Sequence, residues 1–428
     1  MTAWEIKGWC PGALRPMQSG DGLVVRIRPP MGRLTLQQAA AIATASETHG
    51  NGIIDLSARA NLQLRGVTEA SHPHLIDDLR AQGLIDPDVE TETLRNLIVT
   101  PFRTSPPSLY LPPHAGEGSH PARQVCATLA PGASLPPGWG RDGEGGHPSG
   151  SEADTDSLAT TLTAALARMP KLPGKFGFAL DTGPRPVLTG ASADIRVERS
   201  ADGSLILRPD GFPFGQPVTD LAADAIAMAD WFVASGGITD GRGRMAALIA
   251  RGIVPPNCTL APAKPLPTPG PGLHSDGALF ALAFGQMRAG TLRALAALGH
   301  EIRPTPWRML LIAGATELPA IPGLITDISE PLLRITACTG APACPQGLGD
   351  TRTLARQLAP HLAPGQTLHI SGCAKGCAHP GPAPLTLTAT GQGYDLIRNG
   401  TAHDTPSLRS LPAQAIPDHL KATHAPRL

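Results

Sequence analysis

Strand-like and helix-like hydrophobic patterns occur twice along the chain in the same order. Residues 20–27, GDGLVVRI, set a short apolar run behind a turn and predict a strand. TLQQAAAIATASETHG, 35–50, spaces its apolar residues for a helix, with Thr35 as N-cap, Gln38 at the capping-box position and Gly50 as the closing residue. IIDLSARANLQLRG, 53–66, reads as a strand pair or extended run. The second half repeats the series with SDGALFALAF (275–284) as strand, TLRALAALG (291–299) as helix closed by Gly299, and EIRPTPWRMLLIAG (301–314) as the extended piece. Arg59-Ala60-Asn61 and Arg303-Pro304-Thr305 fall at matching points of the two units. Two further stretches, 193–211 and 383–400, each read as strand, glycine-containing turn and strand, with an arginine and a glycine at the end. An internal duplication is the economical reading. Each small unit is too short to bury its apolar face alone, so the two halves are expected to pack together.

Two stretches break this pattern. Residues 105–150 are dense in Pro and Gly, lack an amphipathic period and predict a disordered surface insertion; Cys126 lies inside it, and its His114 and His120 read as solvated and not as metal ligands. A shorter proline-rich run, 255–272, falls between the halves as a linker, with Cys258 incidental to it.

Length and charge narrow the function. A chain of 428 residues can hold two or three domains. Its 35 basic and 35 acidic residues cancel, and no Lys/Arg run would track a phosphate backbone, so no nucleic-acid partner is expected. The start, MTAWEIKGWCPG, has no charged region followed by an apolar one, and no run of about 18 apolar residues occurs. A soluble, cytoplasmic protein with no membrane partner is expected, and in that compartment seven cysteines do not read as a disulfide framework.

The position of the cysteines carries the chemistry. Cys338 and Cys344 form C-x5-C in TACTGAPACPQG, and Cys373 and Cys377 form C-x3-C in HISGCAKGCAHP. Four clustered thiolates can hold an iron–sulfur cube or a structural zinc, or can be unliganded core residues. Gly340, Gly347, Gly372 and Gly376 flank them and would let backbone amides approach cluster sulfides, which favours iron–sulfur.

These cysteines, Arg59-x-Asn61-x-Gln63, Arg95-Asn96 in TLRNLIVTP, and LPGKFGFALD (172–181) together resemble the sulfite and nitrite reductase family. The resemblance covers most of the chain outside the insertion. It implies an α+β fold in which duplicated ferredoxin-like halves pair and two α/β lobes complete a molecule of pseudo-twofold symmetry. The expected ranges are 1–100 for the first half-domain, 158–250 for the first lobe, 273–325 for the second half-domain and 326–428 for the iron–sulfur lobe. CPGALRPMQSGDGLVVRIRP (10–29) and SGCAKGCAHP resemble the precorrin-3B synthase family within it. Siroheme reductases usually carry an asparagine after the third cysteine, where this chain has Ala374 and Lys375; of their anion-binding cations only Arg59 and Lys175 have counterparts. A siroheme-dependent sulfite or nitrite reductase is the alternative reading.

What the synthase resemblance implies is an O2-dependent monooxygenase acting on precorrin-3A, with a 4Fe-4S cluster held by Cys338, Cys344, Cys373 and Cys377 and a mononuclear non-haem iron. His379 is a candidate ligand for that iron, with His369 behind it. A polycarboxylate tetrapyrrole needs guanidinium forks, and Arg59, Arg95, Arg303 and Arg308, with Gln63 and Asn96, are the substrate-binding candidates. Arg15, Arg26, Arg28 and Arg65 read as ordinary surface arginines. Asn61 and Gln63 alternate with Leu62 and Leu64, which would put them on one face with Arg59 as a pocket wall. Lys175, Arg59 and Asn61 are the catalytic candidates, and Lys375 would offset thiolate charge. No G-x-G-x-x-G follows a strand, so an external electron donor is expected.

Overall fold

The computed structural model describes residues 11–103 and 152–421; the expected insertion at 105–150, with Cys126, His114 and His120, and Cys10 lie outside the described residues. Four five-stranded sheets are present among the described residues. The first runs Met17–Ser19, Gly22–Ile27, Leu62–Val67, Ile53–Leu56 and Gln286–Arg288, all antiparallel. The second runs Gly272–His274, Gly277–Leu282, Met309–Ala313 and Ile302–Pro304, with Leu324–Ile325 paired to Gly277–Leu282. Gln286–Arg288 follows a strand of the second sheet yet joins the first, and Leu34 and Ile302 return the exchange through paired backbone hydrogen bonds of 2.8 and 3.1 Å. One apolar core, including Ile27, Ile42, Leu64, Phe280, Leu292 and Ile312, therefore spans both halves.

The helix Leu36–His49 starts as the sequence predicts. Thr35 accepts from the Gln38 amide and the Gln38 side chain accepts from the Thr35 amide, a closed capping box. Its end differs from the expectation: Gly50 is extended, at φ −126°, not left-handed. Glycine is needed there for space, since a Cβ would lie 2.4 Å from the Arg65 carbonyl oxygen. Helix Ala289–Ala296 packs on Leu36–His49 from the second unit, and Gly299 takes the left-handed φ of 82° expected of a closing glycine.

The register of the duplication also differs from the expectation. Asp55 faces Gln63 and Leu56 faces Leu62 in the first unit, as Arg303 faces Leu311 and Pro304 faces Leu310 in the second. The turns that follow are closed alike, Ser57 N donating to Asn61 O and Thr305 N to Met309 O. Arg59 is thus the counterpart of Trp307, and Arg303 that of Asp55; arginine identity misplaced the match because turn geometry, not residue type, sets it.

Each half leads into a lobe. Leu97–Val99, Phe178–Asp181 and Ile195–Arg199 are parallel neighbours, followed antiparallel by Leu205–Pro209 and Gln216–Pro217. Ile335–Ala337, Leu368–Ser371, Ala383–Thr390, Gly393–Gly400 and Leu408–Leu411 repeat the same order and directions. The two expected hairpins are the antiparallel centres of these sheets. Leu97–Val99 lies inside the range expected for the first half-domain, so the chain enters the lobe before residue 100. The stretch expected as a linker is not free: Leu260 bridges Gly215, Pro262 bridges Ser200, and Ala263 and Leu266 are buried. Among the described residues no helix is long and apolar enough to cross a membrane.

Candidate active site

Two adjacent parallel strands deliver the cysteines. Ile335–Ala337 ends at Cys338, and Leu368–Ser371 runs into Gly372 and Cys373, so both cysteine loops leave the carboxyl end of one sheet. That end is where open α/β sheets bind ligands. The loops interlock: the Leu348 amide donates to the Gly372 carbonyl at 2.8 Å, and the Gly372 amide reaches Cys338 Sγ at 3.1 Å. A Cβ on Gly372 would lie 3.1 Å from Gly340 Cα and 3.4 Å from Cys338 Sγ, so any larger residue would crowd the approach that makes this N–H···S contact.

All four cysteines face one cavity of about 510 Å³. Burial pushes the Cys377 thiol above its usual range; Lys375 opposes this, and Cys373, Cys338 and Cys344 add to it, so the sulfurs lie within one another's field. Among the described residues no three His, Cys, Asp or Glu side chains meet closely enough to hold a single ion. The thiols instead surround the cavity, and with one sulfur already accepting a backbone N–H they match the all-thiolate donor set of a four-iron cluster. Lys175, from the first lobe, and Lys375 line the same cavity.

A second cavity of about 440 Å³ adjoins it, sharing Met17, Gln18, Ser19, Cys338, Thr339 and Cys377. Its wall is built of guanidiniums. Arg26 donates through Nε and Nη2 to Gln63 Oε1, its partner across the ladder, at 3.2 and 2.7 Å. Arg65 grips Asp21 at 3.0 and 2.6 Å and also donates to Ser19 Oγ and to the Ala343 carbonyl inside the C-x5-C loop. With Gly20 N and Ser19 Oγ donating to the same carbonyl, the first sheet is tied to the cysteine loop. Arg352, at the start of helix Thr351–Leu358, reaches back to Asp55 at 3.2 Å, and Arg308 enters from the second sheet.

Of the sequence-predicted residues, the four cysteines, Lys175, Gln63 and Arg308 converge here. The others do other work. Arg59 donates to the Lys175 carbonyl at 2.7 Å and to Ser192 Oγ at 3.3 Å, pinning the loop that carries Lys175. Asn96 donates to the carbonyls of Thr93, Gly174 and Phe176 and shapes the same loop. Arg95 is held bidentately by Asp86 and lines, with Asn61, a separate cavity of about 180 Å³. Arg303 is buried, bound to Glu301 and to the Pro101 carbonyl. His379 meets the Pro382 carbonyl at 3.2 Å, with its ring against that of buried His369. Arg59 does not share a face with Asn61 and Gln63 as expected, because Ala60 is left-handed at φ 57° and breaks the alternation between them; Asn61 and Gln63 line different cavities. Arg26, Arg28 and Arg65 are buried, not ordinary surface arginines. Arg26, Arg65, Asp55 and Arg352 were missed as wall residues; the Gln63-x-Arg65 alternation was the available signal, whereas the others depend on register or on the lobe's placement.

Residues 15–82 match the nitrite/sulfite reductase ferredoxin-like half domain family. A precorrin-3B synthase from Sinorhizobium sp is 30% identical, over 94% of this chain and 84% of that protein. The chain belongs to the precorrin-3B synthase family. The synthase match spans both halves and both lobes. By contrast, the chloroplastic ferredoxin–nitrite reductase of Zea mays, at 34% identity, matches over 18% of this chain and 14% of its own length. The fold is that of the NirA protein of Mycobacterium tuberculosis, with a TM-score of 0.57 at 16% identity over 93% of this chain and 79% of that one. A precorrin-3B synthase family member is an oxidoreductase, and its place in the sulfite/nitrite reductase-like superfamily fits the α+β architecture found here.

Proposed function

We propose that the protein is a precorrin-3B synthase, the monooxygenase of aerobic cobalamin biosynthesis that hydroxylates precorrin-3A at C20 and closes a γ-lactone from the ring A acetate onto C1. The single observation that carries this is the joined cavity, with four thiols on one side and a buried to half-buried guanidinium wall on the other. Planar guanidiniums match carboxylates bidentately, and a low-dielectric wall strengthens each such contact. The acetates and propionates of the tetrapyrrole would meet Arg26, Arg308 and Arg352, with Gln63 beside them, since all four line one cavity. Asp21 and Asp55 hold Arg65 and Arg352 in place, so little side-chain entropy remains to be lost on binding.

Cys338, Cys344, Cys373 and Cys377 would hold a 4Fe-4S cluster, which supplies one-electron transfer when bound; among the described residues His379, bonded to the Pro382 carbonyl, has no ligand set around it that fits a mononuclear iron. Lys175 and Lys375 bring positive charge to the thiolate cavity, which favours the more negative state of whatever is bound there. Arg59 and Asn96 keep Lys175 aimed inward by fixing its loop. One oxygen atom of O2 enters the substrate and the other leaves as water, with two electrons from an external donor.

The test is the absorption spectrum of anaerobically purified protein, with iron, sulfide and zinc measured on the same sample. A broad thiolate-to-iron band, iron in excess of a cube and no sharp haem bands are expected. Tightly bound siroheme would favour the reductase reading, and zinc without sulfide would remove both.

A further inference from the structure

The two ferredoxin-like units build the same turn twice, and the side chain at its left-handed position is not the same in the two. In the first unit the left-handed residue is Ala60, at φ 57°; in the second it is Arg308, at φ 62°. A left-handed backbone costs a residue with a Cβ about 1–2 kcal/mol, and a long side chain there is kept where the surroundings require it. The strand-to-helix corner is duplicated too, with Met31-Gly32 matched by Phe284-Gly285, all four left-handed. A Cβ on Gly285 would fall 2.9 Å from Cβ, Cγ and Cδ of Arg308, whereas one on Gly32 would meet the Val99 side chain. In one copy only, then, a missing Cβ leaves the channel along which an arginine stem runs into the cavity.

The guanidinium at the end of that stem is unspent. Among the described residues Arg308 makes no hydrogen bond and no ion pair; its nearest charges are Arg352, which repels it, and Asp55. Asp55 is already held by Arg352 at 3.2 Å, by Gln286 at 3.0 Å and by Arg65 at 3.8 Å. The cavity lining sets four guanidiniums against this one carboxylate. A cation that is strained, partly desolvated and unpaired is stabilised by an arriving anion more than a paired one is.

We propose that Arg308 is a specificity-determining residue, a guanidinium fork pre-set to take one peripheral carboxylate of the substrate. The inference rests on the precorrin-3B synthase reading for what the substrate is. A purely structural role predicts that Arg308→Gly lowers stability, whereas a binding role predicts no loss, since the change removes both the strain and an unpaired cation.

The experiment is an anaerobic titration of cluster-loaded protein with precorrin-3A, followed by absorbance, for the wild type, Arg308→Lys, Arg308→Gln and Arg308→Gly. A charge-assisted hydrogen bond of about 1.5–3 kcal/mol corresponds to a loss of roughly ten- to a hundredfold in affinity for the Gln and Gly variants, with Lys between. Cluster content should be unchanged and Tm of Arg308→Gly equal or higher. Equal affinity of wild type and Arg308→Gly would overturn the role of Arg308 alone, as would a fall in Tm and cluster content with affinity unaltered. A wild type that does not bind precorrin-3A would remove the synthase reading and this inference with it.

Discussion

Cys338 shows how much a single residue can carry in this fold. It follows the strand Ile335–Ala337, its sulfur accepts the Gly372 amide, and its carbonyl accepts the Thr351 hydroxyl at 2.6 Å. Cys338→Ser keeps a side chain of similar shape but replaces a thiolate with a poor iron ligand. Purified Cys338→Ser should therefore retain the wild-type circular dichroism while losing most of its iron and sulfide; full retention of both would remove Cys338 from the ligand set. Asp181 lines neither cavity and, at the end of Phe178–Asp181, reports on the first lobe. Burial pushes its carboxyl up to about 7, against two amides, Val187 and Leu188, that donate to Oδ2. The folded protein thus keeps a proton that the unfolded chain releases near pH 4. Stability should fall as pH rises from about 4 to 7, by at most about 4 kcal/mol, and Asp181→Asn should flatten that slope in urea titrations taken across the range. The cysteine ligand set was legible because its signal is local spacing. Arg26 and Arg65 were not, because only the pairing of Gly22–Ile27 with Leu62–Val67 turns those arginines inward.

At the scale of elements, the capping box at Thr35 was readable from four consecutive residues, and the closing geometry at Gly50 was not. The first depends on side chains three positions apart; the second depends on the Arg65 carbonyl, which arrives from another strand. The two sites should differ in energy accordingly. Thr35→Ala removes one cap hydrogen bond and should cost about 1 kcal/mol. Gly50→Ala forces a methyl to within contact-breaking distance of a backbone oxygen and should cost about 2–3 kcal/mol, near the upper end of ordinary single substitutions. Chemical denaturation of the two variants checks the order, and a Gly50→Ala as mild as Thr35→Ala would show that the strand end yields.

At the scale of the whole molecule, duplication supplies a symmetric frame and asymmetry supplies the site. Both lobes share one strand order and one set of strand directions, but only the second carries cysteines at the strand ends. The existence of the repeat was legible because apolar periodicity survives duplication. Its register was not, since Ala60 and Arg308 occupy equivalent turns while no sequence similarity marks them. The strand exchange at Gln286–Arg288 was equally hidden, being a choice of partner rather than of conformation. The joined cavity exists only when the first sheet, the second sheet and the cysteine loops are assembled, which makes substrate chemistry a property of the entire fold. The most direct measurement is mass spectrometry of the product formed from precorrin-3A by anaerobically purified, cluster-loaded protein given a chemical reductant and 18O2. The account predicts a product carrying one labelled oxygen atom, formed only when O2 and reductant are both present; unlabelled or unchanged precorrin-3A from protein with a full cluster would contradict it.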